Sequence, residues 1–244
     1  MAALTVLGSG DAFATGGKFT TSFFVESSSM NFLVDCGVTT FVRLKQMNKS
    51  VEDLDAVFIT HFHGDHYGGL PYLLLSQKVE LAKSIPLTIV GPIGIKQQLK
   101  KLQEALYPET GAFVDELPLT FIEYDLEWQQ FENIKFRAAP VVHSPASKPH
   151  GIRFDFEGVK FAFSGDTEWT DRLVDLADGT DLFITECNNH LEDTPGHLSY
   201  RTLLEKRDVL ATKRIVLSHM GNEMLQLKEC EFLRLEDGMR LELG

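Results

Sequence analysis

The 244-residue sequence contains only three cysteines, Cys36, Cys187 and Cys230. They are widely separated and odd in number, which argues against a disulfide framework and against a zinc site built from cysteine pairs. We therefore expect all three thiols to be reduced and at least partly buried.

Long hydrophobic runs are also absent. No apolar stretch approaches the ~20 residues that a membrane-spanning helix needs, so no membrane span is expected. The first residues, MAALTVLGSG, lack the basic stretch and the apolar segment of a secretory signal. A cytoplasmic location is the prediction that follows.

Basic residues are in the minority. Lysine and arginine number 23 against 35 aspartates and glutamates, and the formal net charge is −12. Because binding to nucleic acid depends on neutralising phosphates with Lys and Arg, this balance disfavours a nucleic-acid partner.

The sequence is rich in short β-branched and aromatic runs bounded by Gly, Pro, Asn and Asp, which predict strands. These runs are residues 4–7, 20–25, 31–35, 56–60, 86–90, 119–123, 134–137, 152–156, 159–163, 181–185 and 214–218. Helical periodicity marks residues 39–47, 70–83, 93–106, 170–176 and 199–211. No linker or repeat divides the chain. We predict one α/β domain over residues 1–244, a four-layer αββα sandwich of two mixed sheets with helices outside.

Three of the eight histidines lie within the stretch HFHGDH, residues 61–66, directly behind an apolar run. His61 and His63 are two residues apart, so in an extended chain both side chains leave on one side and could hold a metal ion. Asp65 and His66 follow across a turn that Gly64 permits, and could face a second ion. Side chains clustered this tightly would repel on protonation without something to organise them, which favours a metal site over an ordinary polar loop.

Two ions require more ligands than this stretch contains, since a catalytic zinc needs three or four protein ligands and an open position. Three candidates each follow an apolar strand: His143, Asp166 and His219. A carboxylate such as Asp166 can bridge two cations and hold them ~3.5–4 Å apart for hydrolysis.

These motifs, in this order, resemble the metallo-β-lactamase fold superfamily of metal-dependent hydrolases. The similarity runs from about residue 4 to residue 220 and implies the αββα sandwich of that superfamily. Carried over position by position, it implies the following ligands: His61, His63 and His143 for one ion, Asp65, His66 and His219 for the other, and Asp166 between them.

Three further stretches resemble the branch that contains the tRNA 3′-processing endonucleases (ribonuclease Z), arylsulfatase-like enzymes and cyclic phosphodiesterases. Leu7-Gly-Ser-Gly-Asp-Ala-Phe13 is similar to its glycine-rich opening turn. Thr185-Glu186-Cys187 stands where the branch has His-Glu-Ala-Thr, and Gly196-His197-Leu-Ser199 where it has Gly-His-Ser/Thr. Thr185 departs from the first histidine of that motif.

His197 with Glu186 is the candidate proton-donor pair, because a histidine held by a carboxylate suits donation to a leaving alkoxide. The alternatives without function are a strand-end carboxylate in solvent for Glu186 and a neighbour of a helix N-cap for His197.

We therefore predict a hydrolase that uses two divalent metal ions. Zinc is expected, and manganese or iron suits the same ligands. The expected reaction is hydrolysis of a small or cyclic phosphodiester by metal-bound hydroxide, with Asp65 orienting the nucleophile. Carboxylic esters, thioesters, lactones and sulfate esters stay open as substrates, as does a non-catalytic metal-binding interaction protein.

tRNA is disfavoured as the substrate by the acidic charge and by the chain between His143 and Asp166. Only 22 residues separate the two, too few for the long arm with which the tRNA-processing enzymes grip tRNA. The resemblance to this branch also implies a homodimer.

Overall fold

Two mixed sheets of seven strands each form the centre of the computed structural model, which describes residues 2–244. Numbered in chain order, the strands of the first sheet are β1 (Ala2–Gly8), β2 (Ser22–Glu26), β3 (Asn31–Val34), β4 (Ala56–Phe58), β5 (Leu87–Gly91), β6 (Leu119–Glu123) and β14 (Arg240–Leu243). Those of the second are β7 (Gln129–Phe131), β8 (Ile134–Pro140), β9 (His150–Phe156), β10 (Val159–Phe163), β11 (Leu182–Glu186), β12 (Ile215–Ser218) and β13 (Leu233–Arg234). The spatial orders are β14-β1-β2-β3-β4-β5-β6 and β13-β12-β11-β10-β9-β8-β7.

Helices connect the parallel strands. They are α1 (Thr40–Gln46), α2 (Gly64–Tyr67), α3 (Leu70–Leu75), α4 (Ile95–Leu106), α5 (Phe113–Glu116), α6 (Arg172–Ala177), α7 (Tyr200–Lys206) and α8 (Asn222–Gln226). Short 3₁₀ turns occupy Thr15–Gly17, Val51–Asp53, Pro145–Ser147 and Arg207–Val209, and a π turn occupies Ser76–Glu80. None of the helices between residues 2 and 244 has the length and apolar character needed to cross a lipid bilayer.

Three separate apolar layers hold the sheets and helices together. The central layer lies between the sheets and is rich in phenylalanine: the ring of Phe58 packs edge-on against Phe154 at 5.0 Å and Phe136 at 5.2 Å. One outer layer covers the first sheet and includes Leu70 and Leu99, and the other covers the second sheet. Three apolar layers separate four layers of secondary structure, as the predicted αββα arrangement requires.

Some elements differ from the sequence prediction. The helix predicted over residues 70–83 ends at Leu75 and continues as the π turn, and the one over 199–211 ends in the 3₁₀ turn at Arg207–Val209. Strands β7, β13 and β14, of two to four residues each, were not predicted, because none of them contains a marked apolar run that is buried along its whole length. The β14 strand pairs with β1 in antiparallel register, Leu4 opposite Leu241.

The parallel strands determine where function can arise. β3 and β4 are parallel in one sheet, and β10, β11 and β12 are parallel in the other. Segments that follow the carboxyl ends of parallel strands meet at one edge, which is where open α/β sheets usually bind ligands. His61, Asp166, Glu186 and His219 all lie at or just beyond such strand ends.

Candidate metal centre

The structure brings all seven predicted ligands together in two groups. The ligand atoms of His61, His63, His143 and Asp166 lie within 4.8 Å of one another. Within the same distance, Asp65, His66, Asp166 and His219 form a second group. Asp166 belongs to both groups, which is the position of a bridging carboxylate.

The HFHGDH stretch reaches this geometry differently from the sequence prediction. The β4 strand ends at Phe58, before the predicted end at residue 60, and the rings of His61 and His63 still lie 4.8 Å apart. Gly64 does not form the expected turn but begins the short helix α2, whose turn carries Asp65 and His66 towards the second group. The His66 backbone N–H donates to the His63 carbonyl at 2.9 Å.

Hydrogen bonds at Nδ1 place the lone pair on Nε2 in three of the histidines, and in His143 that Nε2 lies 3.0 Å from His63 Nδ1. His66 Nδ1 donates to Asp35 Oδ2 at 2.6 Å, and His143 Nδ1 donates to the Gly196 carbonyl at 2.8 Å. His61 Nδ1 lies 3.0 Å from Thr60 Oγ1, whose own proton goes to Asp35. A proton on Nδ1 leaves a lone pair on Nε2, which is the form of imidazole that binds metal.

Asp35 supports the ligand His66 from behind, and the sequence analysis did not identify it. It is fully buried, follows β3, and accepts hydrogen bonds from the Thr60 backbone N–H at 2.7 Å and from His66. Burial raises the pKa of Asp35, while the charge of His66 acts in the opposite direction. The only signal in the sequence was a carboxylate at the end of an apolar strand, which also fits an ordinary turn.

Unsatisfied atoms test whether a metal fits this centre. Among the described residues, His61 Nε2, His66 Nε2 and Asp166 Oδ1 are buried without a hydrogen-bond partner. Buried polar atoms without partners are destabilising, and divalent cations would satisfy all three. Imidazole nitrogens and carboxylate oxygens are suitable donors for zinc, manganese or iron. The residues therefore fit metal ions.

The pKa values of the clustered histidines also indicate a site that needs positive charge. Burial lowers the pKa of His219, but the neighbouring Asp166 and Asp65 carboxylates outweigh it and raise that pKa to about 9. The same opposition raises the pKa of His66. In His61 burial prevails, and the pKa is lowered. Without bound cations, protons on His219 and His66 therefore offset the charge of the neighbouring carboxylates.

The predicted donor pair also forms. His197 Nδ1 lies 3.0 Å from Glu186 Oε1, and the His197 ring lies 4.9 Å from that of His143 and 5.6 Å from that of His219. Glu186 is completely buried, so the solvent-exposed alternative for it is wrong. Burial lowers the pKa of His197, but the hydrogen bond and the charge of Glu186 outweigh it and raise that pKa.

Glu168 is a second residue that supports a predicted ligand indirectly and that the sequence analysis did not identify. Its Oε1 accepts a hydrogen bond from the Gly196 backbone N–H at 2.8 Å, and the Gly196 carbonyl receives His143 Nδ1. Gly196 has φ +85, and a Cβ there would lie 2.5 Å from His143 Nδ1. Glycine is needed at this position because only it allows both the backbone conformation and the approach of the imidazole.

The glycine-rich opening turn supports the other end of the centre. The Ser9 carbonyl accepts the His219 backbone N–H at 2.9 Å. Asp237, from the other end of the chain, accepts the backbone N–H and the hydroxyl of Ser9, both at 2.8 Å. The cysteines take no part: Cys36, Cys187 and Cys230 are free thiols, two buried and one partly buried, as predicted.

Known proteins are similar to this chain in sequence and in fold. The family model of the "Anti-Pycsar protein Apyc1" matches residues 2–236. The chain belongs to the Apyc1 family. Ribonuclease Z of Mycobacterium bovis (strain BCG / Pasteur 1173P2) is 29% identical to this Apyc1-family chain over 195 residues, 75% of this chain and 69% of the relative.

Solved structures agree on the fold. The metallo-β-lactamase fold protein YhfI from Bacillus subtilis has a TM-score of 0.79 at 19% identity, with 99% of this chain and 100% of that chain covered. A diphosphatase of the PhnP family has a TM-score of 0.79 at 18% identity and covers 100% of this chain and 98% of its own. The Apyc1-family chain thus has the metallo-β-lactamase fold, and the predicted superfamily and sandwich are confirmed. The family match, the similarity to ribonuclease Z and the two ligand groups together identify the chain as a metal-dependent hydrolase.

Proposed function

We propose that the protein hydrolyses a small or cyclic phosphodiester with two zinc ions at this centre. The observation that carries the proposal is that two ligand groups share the buried carboxylate of Asp166. His61, His63 and His143 would hold one ion, and Asp65, His66 and His219 the other. Two divalent cations so held supply a water of lowered pKa and stabilise charge on the phosphoryl oxygens.

The protein residues would position the reactants. Asp65 Oδ2 lies 3.2 Å from His219 Nε2, which places its carboxylate inside the second ligand group, where it would orient the attacking water. The Glu186 carboxylate holds the His197 imidazole over the cluster. With its raised pKa, His197 would keep a proton near neutral pH and donate it to the departing alkoxide.

A small substrate is favoured by the chain between His143 and Asp166. It makes only the 3₁₀ turn Pro145–Ser147 and then the hairpin of β9 and β10, and the backbone N–H of Phe62 donates to the Ser147 carbonyl at 2.9 Å. Nothing in residues 144–165 projects as an arm that could grip a large RNA. We therefore propose that tRNA is not the substrate, although the Mycobacterium relative is a ribonuclease Z. The homodimer and the cytoplasmic location stay predictions.

The function is tested by comparing wild type with Asp65→Ala on a panel of substrates. The panel contains bis-p-nitrophenyl phosphate, 3′,5′-cyclic nucleotides, p-nitrophenyl acetate and a tRNA precursor. We expect metal-dependent turnover of the first two, reduced at least ~100-fold in Asp65→Ala because the attacking water loses its orientation. Turnover of the carboxylic ester alone would contradict the proposal, and metal binding without any turnover would favour an interaction protein.

Metal loading should release protons at pH 7. In the metal-free protein His219, with a pKa of about 9, and His66, whose pKa is also raised, are protonated at neutral pH. A cation must displace those protons, so the metal affinity should rise with pH from neutral to at least about 9, the pKa of His219. Calorimetric titration of zinc in two buffers of different ionisation enthalpy measures the protons released. An enthalpy independent of the buffer would contradict this prediction.

Asp35→Asn should weaken metal binding without removing a ligand. The amide would present a donor to His66 Nδ1, so the ring would carry its proton on Nε2 and lose the lone pair aimed at the centre. We expect the affinity for one of the two ions to fall ~10–100-fold in a competition titration with a chelator. Asp55→Asn, at an exposed aspartate bonded to the Asn31 N–H, is the matched control and should leave both affinities unchanged.

A further inference from the structure

The ligand His219 lacks a hydrogen bond that three other ligand histidines have. The rings of His61, His66 and His143 each have a hydrogen-bond partner at Nδ1. His219 Nδ1 is buried and has no hydrogen-bond partner among residues 2–244. A metal-binding histidine is usually oriented by a hydrogen bond from its second ring nitrogen. Another part of the protein must therefore orient the His219 ring.

Neighbouring rings restrict only the plane of the His219 imidazole. The ring of His66 lies 5.3 Å away at an interplanar angle of 30°, and that of His197 lies 5.6 Å away at 13°. Stacked rings resist tilting, but they also stack when offset, so they can slide. His219 Nε2 lies 3.2 Å from Asp65 Oδ2 and 3.3 Å from Asp166 Oδ2. These distances therefore depend on where the backbone of His219 lies.

The backbone of His219 has an unusual conformation. Its φ is +52, in the left-handed region that residues with a Cβ rarely adopt. Such a conformation persists where the surrounding structure determines it. The His219 N–H donates to the Ser9 carbonyl at 2.9 Å, and Asn188 Nδ2 donates to the His219 carbonyl at 3.2 Å. Hydrogen bonds on both sides of the residue thus fix the direction in which its side chain leaves the chain.

Asn188 holds the turn that follows β12 at two points. Its side chain binds the His219 carbonyl, and its own carbonyl accepts the Gly221 backbone N–H at 2.9 Å. A Cβ at Gly221 would lie 2.7 Å from the Asn188 carbonyl oxygen, so glycine permits this close approach. Asn188 therefore fixes the turn at His219 and again two residues later.

The strand register explains why Asn188 reaches this turn. β11 and β12 are parallel, with Glu186 opposite Ser218. The chain that leaves β11 therefore runs beside the chain that leaves β12, and Asn188 comes to lie beside His219. Glu186 binds His197 Nδ1 at 3.0 Å. The end of β11 thus supports both His197 and His219.

We propose that Asn188 is a positioning residue for metal binding, which directs the His219 ring at an ion by fixing the left-handed backbone of that residue. Asp237 acts on the same backbone from the other side, because it binds Ser9, whose carbonyl receives the His219 N–H. The inference rests on the proposed function, in which the second ligand group holds one of the two ions. Asn188 itself belongs to neither ligand group.

Asn188→Leu tests this role by metal binding rather than by turnover. Leucine has a similar size but cannot donate to the His219 carbonyl. We expect the zinc affinity of one ion to fall ~10–100-fold in a competition titration with a chelator, and that of the other to stay unchanged. Asn31→Leu is the matched control, since Asn31 Nδ2 also donates to a backbone carbonyl, that of Asp53, at 3.1 Å. Unchanged affinities in Asn188→Leu, or an equal loss for both ions, would overturn the proposal.

Combination with His219→Ala separates positioning from general damage to the fold. If Asn188 acts through the His219 ring, Asn188→Leu should cause no further loss of zinc affinity once that ring has been removed. Independent effects of the two substitutions would instead add. Additive losses would therefore assign Asn188 a structural role and overturn its role as a positioning residue.

Asp237→Asn provides a second measurement if Asn188→Leu does not fold. Asp237 accepts three hydrogen bonds, from the N–H and hydroxyl of Ser9 and from the Phe19 N–H, and an amide cannot accept them all. We expect the same selective loss of affinity for one ion. Asp11→Asn is the control, because Asp11 accepts two backbone N–H groups of the same loop but does not bind Ser9. Equal losses in the two variants would overturn the proposal. A selective loss in a protein that hydrolyses no phosphodiester would refute the proposed function and leave the positioning role intact.

Discussion

Asp166→Ala should abolish both metal occupancy and phosphodiester hydrolysis. The carboxylate approaches imidazoles of both ligand groups, with Oδ2 lying 3.8 Å from His61 Nε2 in the first group and 3.2 Å from His66 Nε2 in the second. Its removal separates the two groups and takes away the negative charge that offsets two cations. Because bound metal supplies several kcal/mol of transition-state stabilisation, we expect kcat/KM to fall at least ~1000-fold.

The measurement combines elemental analysis of purified protein with steady-state kinetics on bis-p-nitrophenyl phosphate. Asp175→Ala is the matched control, since its side chain is 54% exposed on α6 and lies outside both ligand groups. An Asp166→Ala protein that still binds two metal ions per chain and keeps a tenth of the wild-type rate would show that the two groups do not act as one centre.

His197→Ala should affect substrates according to their leaving group. Alkoxides leave poorly without a proton, so for a cyclic or dialkyl phosphodiester we expect kcat to fall ~10²–10⁴-fold. The p-nitrophenolate anion leaves without protonation, so bis-p-nitrophenyl phosphate should lose much less. Glu186→Gln should show the same pattern with a smaller loss, because it removes the negative charge that orients the imidazole and stabilises its protonated form.

The pH profile provides a second readout of the same pair. The raised pKa of His197 means that wild-type activity on an alkyl diester should decline as pH rises through that pKa and the donor loses its proton. This decline should be missing for p-nitrophenyl esters and in His197→Ala. His190→Ala, at a histidine outside the metal groups, is the control. Equal losses on both leaving groups would assign His197 a purely structural role.

The parts of the site that could be predicted are those encoded locally. A buried strand such as β4 shows itself as an apolar run, and the ligands directly behind it keep a fixed spacing that one or two residues of error in the strand end do not disturb. His143, Asp166 and His219 were found for the same reason, since each follows a strand whose apolar run is visible in the sequence.

The supporting residues could not be predicted, because their roles come from partners far away in the chain. Asp35 meets His66 across 31 positions, and Glu168 meets Gly196 across 28. A carboxylate in the sequence does not reveal whether it will meet solvent, a backbone amide or an imidazole. Strands as short as β13 leave no periodicity to detect, and they form because a neighbouring edge is available for pairing.

The pairing of β14 with β1 and the hydrogen bonds between Ser9 and Asp237 have a consequence for folding during translation. A nascent chain emerges from the ribosome N-terminus first. The Ser9 loop therefore cannot form its hydrogen bonds to Asp237, nor β1 its pairing with β14, until those residues have been synthesised. The loop in turn holds the backbone of His219. We therefore expect the enzyme to be inactive during translation until residue 237 has left the exit tunnel.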